Sequence, residues 1–212
     1  IDVSIEENNT IEIRNTSMSN YADYTLTNIV ANAICKLFEG TLYKEDEEDE
    51  DEDNETDDEI KLTPISLPVF SDQQIESAMH DDTNTLRIMI TQLQQPITVF
   101  GPVRKTHFGT DFMKSFEDKS LEELTTIMHN YIQTVNYSLP DYSYGNVMET
   151  GEGENRKILK LLTNIDDCMI DKYDYILLDT NSQDLLAITN DDLNTILPLT
   201  WNRADEYTIV AP

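Results

Sequence analysis

The chain has 212 residues, 39% of them hydrophobic, with 42 acidic and 14 basic residues and a formal net charge of −28. That is enough apolar material to bury one core without a disulfide staple, as a single domain or a domain with a long insertion. The charge repels phosphate backbones and anionic lipid, so nucleic acid and membrane are excluded as partners, and proteins with basic or apolar patches are expected instead.

The opening residues, IDVSIEENNTIEI, read as a β-hairpin. Val3 and Ile5, then Ile11 and Ile13, alternate with polar residues on either side of a turn at Glu6–Asn9. From Tyr21 to Phe38 the spacing becomes helical through Ala22, Leu26, Ile29, Val30, Ala33, Ile34 and Leu37, with Gly40 as the stop. Between Glu45 and Glu59, 13 of 15 residues are acidic. Such a run repels itself and has nothing to bury, so residues 44–59 are expected to be a solvated loop inserted into the domain. IKLTPISLPVF follows and is extended, because its prolines forbid a helix.

Ser71 and Gln74 form a capping box for a helix with Ile75, Ala78 and Met79 on one face. Leu86–Leu93 predicts a second helix, ending before Pro96. KSLEELTTIMHNYIQ gives the clearest helix, with Ser120 and Glu123 as its capping box and a stripe of Leu121, Leu124, Ile127, Met128, Tyr131 and Ile132. Residues 134–157, rich in Tyr, Pro, Gly and Asn, predict a loop. Helical spacing is read again in Ile158, Leu161, Leu162, Ile165, Cys168 and Met169, and in a last helix from Asn190 through Leu193, Ile196 and Leu197 to Pro198.

Little chemistry can be assigned. Cys35 and Cys168 sit in apolar patterns and read as buried thiols. Three scattered histidines, His80, His107 and His129, make no zinc pattern, and the acidic run lacks the glycine and spacing of an EF-hand. YDYILLDT at 173–180 has the look of a strand and acid from a nucleotide-binding fold, but no phosphate-binding loop precedes it. The four Asn-x-Ser/Thr sites, at Asn8, Asn15, Asn54 and Asn136, read as chance in an Asn- and Thr-rich chain. No cofactor, metal or catalytic residue is expected, and no apolar run is long enough to span a membrane. With no leader pattern, the expected setting is cytoplasmic and nuclear.

The order of elements resembles a known family. DDEIKLTPISLPVFSDQQIESAMHDD (57–82) is similar to the junction after the acidic loop, and DFMKSFEDKSLEELTTIMHNYIQ (111–133) to the central helical segment, of the Skp1 family of SCF ubiquitin-ligase adaptors. KLL at 160–162 with Cys168, ITNDDLNTIL at 188–197 and Trp201 are similar to its C-terminal helices. The resemblance implies an α/β (α+β) fold with a BTB/POZ-like small sheet, surrounding helices and a C-terminal helical extension. Residues 1–133 would form the BTB/POZ-like domain, 134–157 an inserted loop, and 158–212 the extension. It further implies a non-catalytic adaptor joining a cullin to an F-box-type protein. Asn130, Tyr131, Leu121, Leu124, Ile158, Leu161, Leu162, Leu193 and Trp201 would be its partner-binding residues. A rival resemblance lies in LRIMITQLQQPITVFG (86–101), similar to the short helix-and-PITVFG motif of the splicing proteins Prp4 and Prp18, which implies a docking segment.

Overall fold

The computed structural model describes residues 2–5, 10–45, 62–163, 167–179 and 185–212, and within them the chain is a mixed α+β protein. It divides into two compact units, Ile1–Asn84 and Thr85–Pro212.

In the first unit, β1 (Asp2–Ile5) pairs antiparallel with β2 (Ile11–Arg14), with Ile5 opposite Ile11. This is the expected hairpin; its turn, 6–9, lies outside the described residues. Next comes α1 (Tyr21–Phe38), with the expected bounds. Asn20 caps it by accepting from the backbone N–H groups of Ala22 and Asp23, and Asp23 accepts in return from the Asn20 N–H. The left-handed residue that ends it is Glu39 (φ 51°), one position before the expected glycine. Four positions on, β3 (Tyr43–Glu45) pairs antiparallel with β4 (Leu62–Pro64), so Glu45 stands opposite Leu62. Residues 46–61, which hold the acidic run after Glu45, lie outside the described residues, and the residues on either side of them pair in this ladder.

An insertion between paired strands costs the fold little, since loop closure grows only as the logarithm of length, about 0.6 kcal/mol per doubling. Replacing residues 46–59 by a short Gly/Ser linker is therefore expected to leave the melting temperature unchanged, or to raise it by relieving charge repulsion. A fall of more than about 4 °C at moderate salt, on the order of 1 kcal/mol, would show that the run docks on the fold.

The boundary between units falls within α2 (Asp72–Leu93), a single helix of 22 residues where two were expected. The capping box is as predicted: Ser71 N–H donates to Gln74 Oε1 at 2.9 Å, and Gln74 N–H to Ser71 Oγ at 3.4 Å. His80–Asn84 is polar but holds neither Gly nor Pro, so nothing interrupts the helix.

The second unit opens with the hairpin β5 (Ile97–Phe100) and β6 (Lys105–Phe108). Then come α3 (Thr110–Ser115) and α4 (Leu121–Tyr137). α4 is the predicted stripe helix, with its Ser120/Glu123 box, extended by a turn and more into the expected loop. Buried Arg104 at the hairpin turn donates to the carbonyls of Val135, Asn136 and Pro140, and Asn136 Oδ1 accepts from the N–H groups of Val103 and Arg104. A guanidinium thus sits on carbonyls at and just beyond the end of α4, where the helix dipole favours a cation.

The expected helical extension over 158–212 is not formed; among the described residues the regular structure here is strand, apart from one short helix. A four-stranded sheet runs β11 (Leu185–Ile188), β10 (Tyr175–Asp179), β8 (Lys157–Leu162), β7 (Val147–Thr150). β10 lies parallel to β8, and the other pairings are antiparallel. A three-stranded sheet runs β12 (Asn202–Arg203), β13 (Ile209–Ala211), β9 (Cys168–Ile170). Of the predicted late helices only α5 (Asn190–Thr195) is present among the described residues, capped by Thr189 and ending before the expected Ile196 and Leu197. Leu162, Cys168, Ile170, Tyr173, Ile176, Ile188, Leu193, Ile209 and Ala211 form one apolar core, with Ile158, Leu178, Leu197 and Trp201 packed on its edge.

Candidate functional site

The expected partner-binding residues do not converge on one surface. Leu162 and Leu193 are buried in the C-terminal core, and Ile158 and Trp201 pack against it, so these four are accounted for by folding. Leu161 is half-buried on β8. Leu124 is buried, and Leu121 half-buried, on α4. Tyr131 is packed: its ring lies 5.0 Å from that of Phe112 and 5.7 Å from that of Phe108, and its hydroxyl donates to the Ala204 carbonyl at 2.7 Å. Burial, with the negative charges of Asp205 and Glu206, pushes its pKa up to about 12. Asn130 alone of the nine is exposed.

A polar network that the sequence does not announce ties the β5–β6 hairpin to the C-terminal part of its unit. Thr98 and His107 face each other across the hairpin. The Thr98 hydroxyl lies 2.9 Å from His107 Nδ1, and His107 Nε2 lies 2.8 Å from Asp171 Oδ1. In the neutral tautomer that satisfies both contacts, Nε2–H donates to Asp171 and Nδ1 accepts from Thr98. Lys105 Nζ sits 3.6 Å from the other Asp171 oxygen. Below, buried Asp205 accepts backbone N–H bonds from His107 at 3.0 Å, Tyr207 at 3.0 Å and Thr208 at 2.7 Å. Both imidazole nitrogens have partners within the protein, so the arrangement acts as a clamp.

Asp171 feels opposed influences. Burial pushes its carboxyl up. The hydrogen bonds from His107 and the Lys172 N–H, with the positive charge of Lys105, outweigh burial and hold it below the usual carboxylate range. A carboxyl depressed in the folded state stabilises the fold above its unfolded value, and that contribution is lost as pH falls through the folded value. Wild type should therefore lose more melting temperature between pH 7 and pH 3 than Asp171→Asn does. Equal losses would mean that the carboxylate contributes nothing to acid stability.

The second unit also has a cleft of about 290 Å³, with Ile90, Met113 and Leu124 among its apolar lining and Arg87, Lys114 and Glu117 among its charged residues. Among the described residues, no group of three or more His, Cys, Asp or Glu could hold a metal, and no helix is long and apolar enough to cross a membrane.

The most unusual surface is on α1 of the first unit. Its inner face is anchored largely by polar groups. Buried Thr27 donates to Asn15 Oδ1 at 2.8 Å, Asn28 exchanges hydrogen bonds with the backbone of Phe70, and Tyr24 meets the Phe70 ring edge-on at 5.0 Å. The outer face carries Ala22, Leu26, Ile29, Ala33 and Leu37. At about 100° per residue these five lie within an arc of about 80°, opposite buried Tyr24, Thr27 and Ala31. Leu26, Ile29 and Leu37 are 46%, 59% and 76% exposed. The helical spacing of these residues was legible; that they face outward was not. No protein-family model, no curated protein and no solved structure matches the chain.

Proposed function

We propose that the chain is a non-catalytic adaptor of a ubiquitin ligase, linking a cullin scaffold to an F-box-type substrate receptor in the cytoplasm and nucleus, on an α+β frame of BTB/POZ type. The observation that carries an interaction role is the outward apolar arc of α1. A helix whose apolar stripe faces water presents surface that a partner would cover. The choice of partners rests on the segments 57–82 and 111–133.

The Skp1 resemblance sets Asn130 and Tyr131 on the side that meets a cullin; Asn130 is the accessible member of this pair, and Tyr131 belongs to the aromatic packing around Phe108 and Phe112. Asn130→Ala is therefore expected to weaken cullin binding by about tenfold while the circular dichroism spectrum is kept. The measurement is titration of the purified chain with a recombinant cullin N-terminal domain. Absence of cullin binding by the unmodified chain sinks the adaptor reading; binding that ignores the substitution moves only the site.

One observation favours the second reading, a splicing-factor segment docking through PITVFG. Phe100, within that motif, is 72% exposed at the end of β5, next to exposed Val103 in the hairpin turn. Binding to splicing proteins that depends on Phe100, with no cullin binding, would select this reading.

A further inference from the structure

We infer that the outer face of α1 is a docking site for a cationic amphipathic helix, an inference that rests on the interaction role just proposed and names the chemistry of the partner. Three observations converge on it.

The first is the arc itself. From Ala22 to Leu37 the outward residues run Ala, Leu, Ile, Ala, Leu, at spacings of four, three, four and four. The stripe is about 22 Å long at 1.5 Å per residue, the length of four helical turns. Two alanines among three larger side chains leave hollows between projections, the relief into which a second helix sets its own side chains.

The second is local neutrality. α1 carries only Asp23 and Lys36 as charged residues in 18 positions, and Asp23 is spent on the Asn20 cap. In a chain with 26% charged residues, this helix lacks the charges that normally solvate an exposed face.

The third is the net charge of the unit that carries it. The first unit, residues 1–84, holds 23 acidic and four basic residues, a net −19 of the chain's −28. The acidic run begins seven positions after the helix ends, at Glu45 beside the β3–β4 ladder. This balance selects the occupant. A second copy of the chain would set −19 against −19, and like charges across an interface are costly. Anionic lipid and nucleic acid meet the same repulsion. A helix with one apolar stripe and lysines or arginines on its other faces gains twice, by covering the arc and by its opposite sign to the unit's net charge.

The test uses the full chain and three synthetic 20-residue peptides: a helix with leucines at a and d positions and lysines elsewhere, the same residues scrambled so that no stripe forms, and the striped peptide with glutamate in place of lysine. Affinity is read by fluorescence anisotropy at 50 and 300 mM salt. The striped lysine peptide should bind at least about tenfold more tightly than either of the others, with affinity falling as salt rises. The triple variant Leu26→Asn, Ile29→Asn, Leu37→Asn should lose the preference for the striped peptide over the scrambled one. These side chains are exposed, so the fold should persist, and circular dichroism checks it. Leu26→Ala with Ile29→Ala is a milder second variant, expected to reduce the preference in part. Equal binding of striped and scrambled lysine peptides, or full binding by the triple variant, overturns the site. Equal binding of the lysine and glutamate peptides overturns the cationic partner. Sedimentation showing a dimer of wild type that the triple variant abolishes would assign the arc to a second copy, and arc-dependent binding to phosphatidylserine vesicles would assign it to a membrane; either overturns the proposal. Cullin binding is titrated in parallel: if it persists while the peptide preference fails, the inference falls and the adaptor reading stands.

Discussion

Asp205→Ala is expected to destabilise the protein by about 3–5 kcal/mol, because each stranded buried donor costs on the order of 1–3 kcal/mol. The carboxylate is 2% exposed and accepts three backbone N–H bonds, from His107, Tyr207 and Thr208. Truncation leaves those three donors buried without an acceptor of the same reach. It also removes the link between β6 and the turn before β13. Asp205→Asn keeps one carbonyl oxygen in place and is expected to lose less than the alanine variant. The measurement is urea unfolding followed by circular dichroism, comparing midpoints at unchanged slope. An alanine variant within about 0.5 kcal/mol of wild type, the scatter of ordinary surface changes, would show that water replaces the carboxylate at no cost.

Leu124→Ala should cost about 2–5 kcal/mol, the range for truncating a buried leucine. Leu124 is 2% exposed on the inner stripe of α4 and lines the same cleft as Ile90 and Met113. Removing its isobutyl group takes packing from all three elements that carry these residues. Leu121, one turn earlier and half-buried, provides the comparison: Leu121→Ala should cost clearly less. Equal midpoints for wild type and Leu124→Ala would mean that α4 turns a different face to the core.

Both residues show what was legible in the chain. Leu124 sits in a stripe at helical spacing behind a capping box, so the helix and its inner face could be read locally. Asp205 is one of 42 acids, and nothing near it in sequence marks it out. Its importance comes from strand register: Thr98 meets His107 only because β5 and β6 pair as they do, and Asp171 and Asp205 reach them from more than 60 positions away. The segment 158–169 failed for a related reason. Ile158, Leu161, Leu162, Cys168 and Met169 fit a helical spacing, but KILKLL is also a short apolar run, and such runs do not separate strand from helix by periodicity. Parallel pairing with β10 decided for strand, and that is non-local. α1 is the opposite case. Its bounds were read to the residue, yet its stripe pointed outward, because periodicity fixes which residues share a face and not which face is covered.

The pairing of β9 with β13 bears on the order in which this protein can be made. Cys168 lies opposite Ala211 and Ile170 opposite Ile209, so β9 waits for about 40 further residues to be synthesised before its partner exists. Met169 and Ile170, fully buried in the finished fold, have no ladder to join until then. Until β13 has been synthesised, this core lacks Ile209 and Ala211 and cannot close. During that interval β9 is a bare, apolar edge of the kind that chaperones cover and that nascent chains aggregate through. The second unit is therefore completed only after synthesis has passed Ala211, and a ribosome stalled short of it holds a chain with its core still open.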